Sequence, residues 1–438
     1  YDTSWQLMEY YDPSVPFTDH HPFMMTYLYV GFAHIGKALF NNATYGLYLL
    51  VLVQSLLSTL AIACTVCYTG KYNIPWKCRF FIAVFLTFFP IIPMMSMSLA
   101  KDTFNTPFFV FFSIAFCELW RTQGTILKSV SFDVFFIADA LAVSLTKKTG
   151  MYIIVLALLL LACFVVKHWS YKIATIVLGG VPYLVVGIIV PTFILPALHI
   201  APGESNEILA VPMQQVANVV HNHKDDLSVA EIDEIQQIYH MDIGQLQDAY
   251  CWYKADPIKG QELSSKDEHA LITTWTKQLV KHPGDMIAGW GGLSVAWFSF
   301  NVASGEEQDL SMMRPINNSK HHYQNIEQYM PWTDNTKAGN AIGQFYADTL
   351  SATPILNIIW QKAFWATILP FAIMFLILRS KKNKLNLLML NLPMFITMLV
   401  LFAGPISTHT EATRYVLPML YIIPLFLSLT LKHLPEES

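Results

Sequence analysis

Charged residues are scarce in this sequence. Asp, Glu, Lys and Arg together make up 13% of its 438 residues, whereas a soluble globular domain usually carries about 25%. An ordinary soluble fold is therefore excluded for most of the chain. A shortage of charge combined with long apolar runs is typical of helices that have lipid as their solvent.

Cysteines are also few, and their positions exclude a disulfide framework. There are six, and only Cys251 lies in a polar segment; the others lie in or beside apolar runs. Cys64 and Cys67 form a Cys-x-x-Cys pair without a second pair or a His cluster nearby, so the spacing gives little support for metal or redox chemistry. No charged-then-apolar signal segment is found at Tyr1. We expect a further segment before Tyr1, with one more spanning helix.

Long apolar runs are abundant, because hydrophobic residues make up 54% of the chain. Nine of them have the length of membrane-spanning helices, at 43–69, 77–98, 104–120, 129–145, 150–167, 172–199, 358–379, 385–403 and 412–431. Before the first, residues 22–40 form an amphipathic pattern broken by His34 and Lys37, which favours a helix lying along the membrane interface. The predicted fold class is an all-α polytopic membrane protein.

Lys and Arg residues predict the orientation of these helices, since they concentrate in cytoplasmic loops. The basic loops are 70–79, 121–128, 167–172, 379–384 and the C-terminal end. The alternate connections then face outward, in a multi-pass protein of the plasma membrane. Lys147 and Lys148 lie against this bias, and one interpretation is that 129–145 is a short or re-entrant helix from which they snorkel.

Residues 200–357 differ from the rest, with 20 acidic and nine basic residues. We predict an outward-facing, largely helical soluble domain inserted between the sixth and seventh spans. Helix signals within it are a cap at Ser228 and a run near 268–281 that ends before Pro283. The predicted domains are an external loop with the interfacial helix (1–42), a six-span bundle (43–199), this acidic domain (200–357) and three final spans (358–438).

Ionisable residues cluster in four outward connections. These carry Asp2, Asp19, His20 and His21 in the first, Lys101 and Asp102 in the second, Lys147 and Lys148 in the third, and His409 and Arg414 in the fourth. Acids, imidazoles and cations that meet at one membrane surface suit a phosphate-handling or acid/base site. Singly, each residue is equally well explained as a helix cap or a snorkelling anchor.

These connections resemble those of the GT-C superfamily of membrane glycosyltransferases. Protein O-mannosyltransferases and aminoarabinose transferases have an Asp after their first span, which Asp2 resembles, and a His-Pro element about twenty residues later, which His21-Pro22 resembles. They also have an Asp in a later loop, like Asp102, and an outer Arg, like Arg414. The segment 211–217 is similar to a bacterial, Gram-positive branch of the superfamily. Two departures are that Thr3 replaces an adjacent second acid and Phe23 replaces a second Pro.

The resemblance implies a GT-C-like helical bundle that transfers a hexosyl or pentosyl group from a polyprenyl-phosphate carrier. The acceptor would be an extracytoplasmic glycan, lipid or protein of the cell envelope. The implied roles are a general base for Asp2, a catalytic or positioning role for Asp102, a supporting role for Asp19, and binding of the donor phosphate by Lys101, Arg414, His20, His21, Lys147 and His409. A divalent metal on Asp2, Asp102 and His21 remains an open question. Membrane lipids are expected partners, and nucleic acid is not.

A transporter or lipid flippase is the main alternative. Transporters usually hold charges midway through the bilayer, and Asp133 and Asp139 within the run 129–145 favour this interpretation. A membrane scaffold or signalling protein with an outer sensing domain is a third possibility, although it would not require charged groups on one face.

Overall fold

The computed structural model describes residues 2–203, 205–259, 263–300, 326–330, 341, 345, 348, 349, 352–405 and 412–434. The first 200 residues form nine helices, which are α1 (Asp2–Tyr11), α2 (Phe23–Phe40), α3 (Ala43–Lys71), α4 (Trp76–Phe88), α5 (Ile91–Ser96), α6 (Lys101–Thr122), α7 (Val130–Thr146), α8 (Lys148–Phe164) and α9 (Trp169–Ala197). This confirms the predicted all-helical class. Across the described ranges the only β-type pairings are two isolated bridges.

The remaining helices divide into a middle and a final group. The middle group is α10 (Ala210–His223), α11 (Val229–Tyr239), α12 (Ile243–Ala249), α13 (Ser265–Lys281), α14 (Pro283–Ser294) and α15 (Ile326–Tyr329). The final group is α16 (Pro354–Ile359), α17 (Phe364–Arg379), α18 (Lys384–Leu390), α19 (Leu392–Ala403) and α20 (Thr413–His433).

Among the residues that the structure describes, four helices are long and apolar enough to cross a membrane, namely α3, α6, α9 and α20. The pair α18 and α19, bent by 67° at its junction, gives a fifth if it is counted as one span. The length and hydrophobicity of these helices are those of a membrane-associated protein. In their most apolar stretches, 78% of α6 and 67% of α20 are buried, against 28% of α3 and α9. The centre of the bundle is therefore built on α6 and α20.

Some predicted spans are shorter or broken in the structure, so the count of nine stays a prediction. The run 77–98 divides into α4 and α5 around Pro90, which follows Phe89 in an extended backbone conformation. A proline disfavours helical geometry in the residue before it. The 17 residues of α7 and of α8 lie at the lower limit of the length that spans a bilayer.

The hairpin of α2 and α3 is the tightest helix contact near the N-terminus. The predicted helix over 22–40 is observed as α2, and Asn42 caps α3 by accepting a hydrogen bond from the backbone N–H of Thr44 at 2.9 Å. A Cβ atom on Gly46 would lie 1.7 Å from the carbonyl oxygen of Phe32, and one on Gly36 would lie 2.2 Å from the backbone nitrogen of Gly46. Two glycines thus allow the backbones to touch.

We expect Gly46→Ala to destabilise the protein by about 1–3 kcal/mol, because the added methyl group meets backbone atoms that move only if the helices separate. The measurement is thermal unfolding of the detergent-solubilised protein. Gly31→Ala in α2 is the matched control, since its Cβ would meet nothing within 4 Å. Helix propensity predicts that the control gains up to about 1 kcal/mol. Equal melting temperatures for the two variants would contradict the close contact.

The middle helices have a hydrophobic core of their own, centred on Met213, Val216, Ile235, Ile238 and Leu271. The two predicted helix signals here are confirmed. Ser228 caps α11 in a reciprocal pair with Glu231, and the run near 268–281 is observed as α13. The group attaches to the final helices through Trp290, whose indole N–H donates to the carbonyl of Phe402 at 2.7 Å.

Candidate active site

Six predicted site residues meet in one place, which we call the charged cluster. Its members come from the start of α1, the loop before α2, the start of α6, the end of α7 and the start of α20: Asp2, His21, Lys101, Asp102, Lys147 and Arg414. All six side chains are at most one quarter exposed. Residues separated by more than 400 positions in the sequence therefore share one partly buried site.

Arg414 joins the two carboxylates of the charged cluster. Its guanidinium donates to Asp2 Oδ2, and its Nε lies 3.7 Å from Asp102 Oδ2. Arg414 lies in the first turn of α20, where the helix dipole is unfavourable for a cation. The two carboxylates offset this repulsion and fix the guanidinium at the helix start.

Asp102 is the deepest member of the charged cluster, with a fully buried side chain. It lies in the first turn of α6, where the helix dipole stabilises an anion. Lys147 Nζ lies 2.6 Å from Asp102 Oδ1, and Lys147 itself lies between the end of α7, which favours a cation, and the start of α8, which does not. Asp102 thus pairs with Lys147 and Arg414.

Asp2 is the more accessible carboxylate, 25% exposed. Its Oδ2 lies 4.0 Å both from Lys101 Nζ and from His21 Nδ1. Burial alone would raise the pKa of Asp2, but the nearby charges of Arg414 and Lys101 hold the pKa below its usual value. Asp2 is therefore a carboxylate at neutral pH.

His21 is a neutral imidazole in this environment. Burial first, and the neighbouring Lys101 ammonium second, lower its pKa to about 3. Lys101 Nζ lies 2.9 Å from His21 Nδ1 and donates to it when that nitrogen carries no proton. The proton of the neutral ring is then on Nε2.

Asp19 supports the loop that carries the two histidines. Its Oδ1 accepts a hydrogen bond from the backbone N–H of Phe23, the first residue of α2, at 3.0 Å, and Lys148 Nζ lies 2.7 Å from its Oδ2. The His20 ring lies beside the His21 ring, with centroids 4.6 Å apart. Predicted His409 lies outside the described residues.

The three residues considered above as possible metal ligands do not come together as a ligand group among the described residues. Across the described ranges, the three residues Asp2, Asp102 and His21 do not form a group with metal-ligand spacing. The physical reason is that Lys101, Lys147 and Arg414 contact the carboxylates, so side-chain cations provide the positive charge there.

Tyr415 belongs to the site but was not among the predicted residues. The Tyr415 hydroxyl accepts from Arg414 Nη2 at 3.1 Å, and its ring centroid lies 5.2 Å from Lys147 Nζ. The ring face thus contacts two cations of the charged cluster. The available signal for Tyr415 was its position next to Arg414.

An apolar cavity of about 150 Å³ lies beside the charged cluster. Lys147 and Tyr415 line it on the side of the cluster, and mostly apolar residues of α6, α8, α19 and α20 line much of the rest, among them Phe109, Ile153 and Leu401. An anionic group bound by the cations of the charged cluster would therefore have an apolar space next to it.

The loop with the histidines is tied to the chain after α9. The backbone N–H of Asp19 donates to the carbonyl of Ala201 at 2.8 Å, and that of Ala201 donates to Phe17 at 2.9 Å. A Cβ on Gly203 would lie 2.8 Å from the carbonyl oxygen of Asp19. The segment leading to the middle helices thus contacts the site loop directly.

Together these features define an all-helical membrane protein with a charged cluster at the ends of its central helices. The chain belongs to a family of unknown function, DUF6020, whose sequence model matches residues 10–437. No curated protein and no solved structure matches it.

Proposed function

We propose that the protein is a membrane glycosyltransferase that moves a sugar from a polyprenyl-phosphate carrier to an acceptor hydroxyl outside the cytoplasm. The observation that supports this most is the charged cluster. It combines three fixed cations, an accessible carboxylate and a neutral imidazole beside an apolar cavity.

The charge balance of the cluster suits such a donor. Lys101, Lys147 and Arg414 provide three positive charges against the two carboxylates, and His21 is neutral, so one positive charge is in excess. A sugar–phosphate–polyprenol donor is a phosphodiester with one negative charge. As the sugar leaves, a second negative charge develops on the phosphate, and nearby fixed cations stabilise it.

Asp2 is the proposed general base, because it is accessible while Asp102 is fully buried. The acceptor oxygen forms a bond to the anomeric carbon of the sugar, the bond from that carbon to the phosphate oxygen breaks, and the hydroxyl proton passes to Asp2. Polyprenyl phosphate is the leaving group. When the donor phosphate attracts Arg414, Asp2 loses part of its positive surroundings, which raises its basicity.

The surroundings of the cluster fit the remaining parts of the reaction. The apolar cavity lined by Phe109 and Trp297 would hold the first isoprene units or the sugar. The opposite end of α6 carries a second set of charges, where Glu118 pairs with Lys71 at 2.8 Å and with Arg121 at 2.6 Å. Twenty-two residues separate the two ends by about 33 Å, which supports a bilayer-spanning position for α6. In the proposal, the end with the charged cluster lies at the extracytoplasmic surface of the plasma membrane.

The test is donor consumption by the purified full-length chain. Radiolabelled polyprenyl-phosphate hexoses and pentoses are supplied in detergent, and the release of polyprenyl phosphate is measured. We expect transfer or slow hydrolysis, and we expect it to persist in Lys71→Gln, which alters only the charges at the opposite end of α6. No consumption of any lipid-linked donor would contradict the proposal.

A lipid flippase or transporter is the second candidate, and one observation favours it. Asp139 in α7 is buried, and its Oδ1 has no hydrogen-bond partner among the described residues. An ionisable group inside an apolar helix often marks a transport path. Labelled lipid or solute that crosses vesicles containing the protein, without donor consumption, would support this candidate instead.

A further inference from the structure

A second cluster of ionisable side chains lies among the middle helices, away from the charged cluster. His223 ends α10, His282 directly precedes α14, and Asp285 lies in the first turn of α14. One potential ligand atom from each of the three lies within 4.8 Å of the other two. Across the described ranges, this is the group that meets metal-ligand spacing.

Two of the three side chains are already in contact, and the third has a nitrogen that is unpaired among the described residues. His223 Nε2 lies 3.0 Å from Asp285 Oδ2. His282 Nε2 is buried and has no hydrogen-bond partner among the described residues. Burying an unpaired polar nitrogen costs about 1–3 kcal/mol, so an isolated imidazole is an unfavourable arrangement that a bound cation would relieve.

In His223 and Asp285, the polar atom that is not part of their mutual contact is bound by another residue. His223 Nδ1 lies 3.3 Å from Asp226 Oδ2, and Asn222 Nδ2 donates to Asp285 Oδ1 at 2.8 Å. In metal sites, a ligating histidine typically donates its other N–H to a carboxylate, which fixes its tautomer and orientation. Here the outer contacts leave His223 Nε2 and Asp285 Oδ2 directed at the common centre.

We propose that His223, His282 and Asp285 bind a divalent transition-metal ion of the zinc class. Two imidazoles and one carboxylate suit zinc, whereas Mg²⁺ and Ca²⁺ prefer oxygen ligands alone. Tetrahedral zinc ligands lie roughly 3.3 Å apart, so binding draws the more distant ring inward. The side chains of His223 and Asp285 are 33% and 24% exposed, which leaves a fourth position open to water.

The ion would link the end of α10 to the start of α14. These helices already touch closely, since a Cβ on Gly289 would lie 3.0 Å from the Cα of Gln215. A metal bridge at this junction would therefore fix the orientation of the helix that carries Trp290 and its bond to Phe402. The site is independent of the glycosyl transfer proposed above.

The test uses the full-length chain with any affinity tag removed, treated with a chelator and then titrated with Zn²⁺ or Co²⁺. We expect one zinc per chain by elemental analysis, a cobalt absorption spectrum of a four-coordinate site, and a higher melting temperature with zinc. His282→Gln and Asp285→Asn should lose all three responses. His269→Gln, an exposed imidazole on α13, is the matched control and should keep them.

Asp226→Asn provides a milder variant, because its side chain is 63% exposed and its loss leaves the ligands in place. The expected effect is a 10–100-fold weaker affinity for zinc. Metal-free melting curves show whether each variant is folded. A wild-type protein that takes up no stoichiometric zinc, or a folded His282→Gln that binds as tightly as the wild type, would overturn the proposal.

Discussion

Asp2→Asn is expected to reduce donor consumption by about 10²–10⁴-fold, the range that a positioned general base contributes. The Asn side chain keeps an oxygen that accepts from Arg414, so the geometry of the charged cluster is retained. The amide cannot take the acceptor's proton. Because Asp2 is the accessible carboxylate of the cluster, no other described side chain of the cluster can replace it without rearrangement.

Kinetics with labelled donor would measure the effect, and we expect it in kcat with little change in KM. Glu9→Gln is the matched control. Glu9 is the other carboxyl on α1; it is buried, and its Oε1 accepts from the Thr18 hydroxyl at 2.7 Å. Burial raises the pKa of Glu9, so the change to a neutral side chain is mild there. Equal losses in the two variants would assign Asp2 a structural role.

Asp102→Asn is expected to lower the free energy of unfolding by about 3–5 kcal/mol, the usual cost of removing one partner from a buried ion pair. The fully buried Asp102 compensates Lys147 directly and Arg414 at longer range. Its loss leaves Lys101, Lys147 and Arg414 with only the carboxylate of Asp2 to balance them.

Asp139→Asn, on the neighbouring helix α7, provides the comparison. Asp139 is also buried, but one of its oxygens has no partner among the described residues. Replacing an unpaired buried carboxyl by an amide is expected to be neutral or stabilising. Thermal and denaturant unfolding of both variants in the same detergent would check this. Similar losses for both would mean that burial, and not the pairing with Lys147 and Arg414, determines the cost.

The charged cluster could be predicted because its members lie where the apolar runs end. The sequence predicts that these connections, although far apart in the chain, lie at the same membrane surface, and that prediction brings their ionisable residues together. The two lysines that lay against the charge bias have a physical reason to be there, since Lys147 pairs with Asp102 and Lys148 with Asp19. The departure of these two lysines from the charge bias therefore coincides with two ion pairs of the site.

Other features have no local signal. The pairing of particular acids with particular cations depends on how helices rotate against each other, and so the role given to Tyr415 by its ring contacts was missed. His223 and His282 are far apart in the chain, and a single His-x-x-Asp is too short to indicate a metal site. The break at Pro90 shows that an apolar run predicts a helix more reliably than an uninterrupted span.

The paired backbone bonds between Phe17–Asp19 and Ala201 have a practical consequence for cutting this protein into parts. If the chain were cut before Ala201, the N-terminal fragment would no longer contain Ala201. The loop that carries the histidines would then lose two backbone hydrogen bonds. Gly203 belongs with the N-terminal part for the same reason, since its backbone lies against Asp19. A separately expressed acidic segment should therefore begin after Gly203, although the predicted domain begins at residue 200.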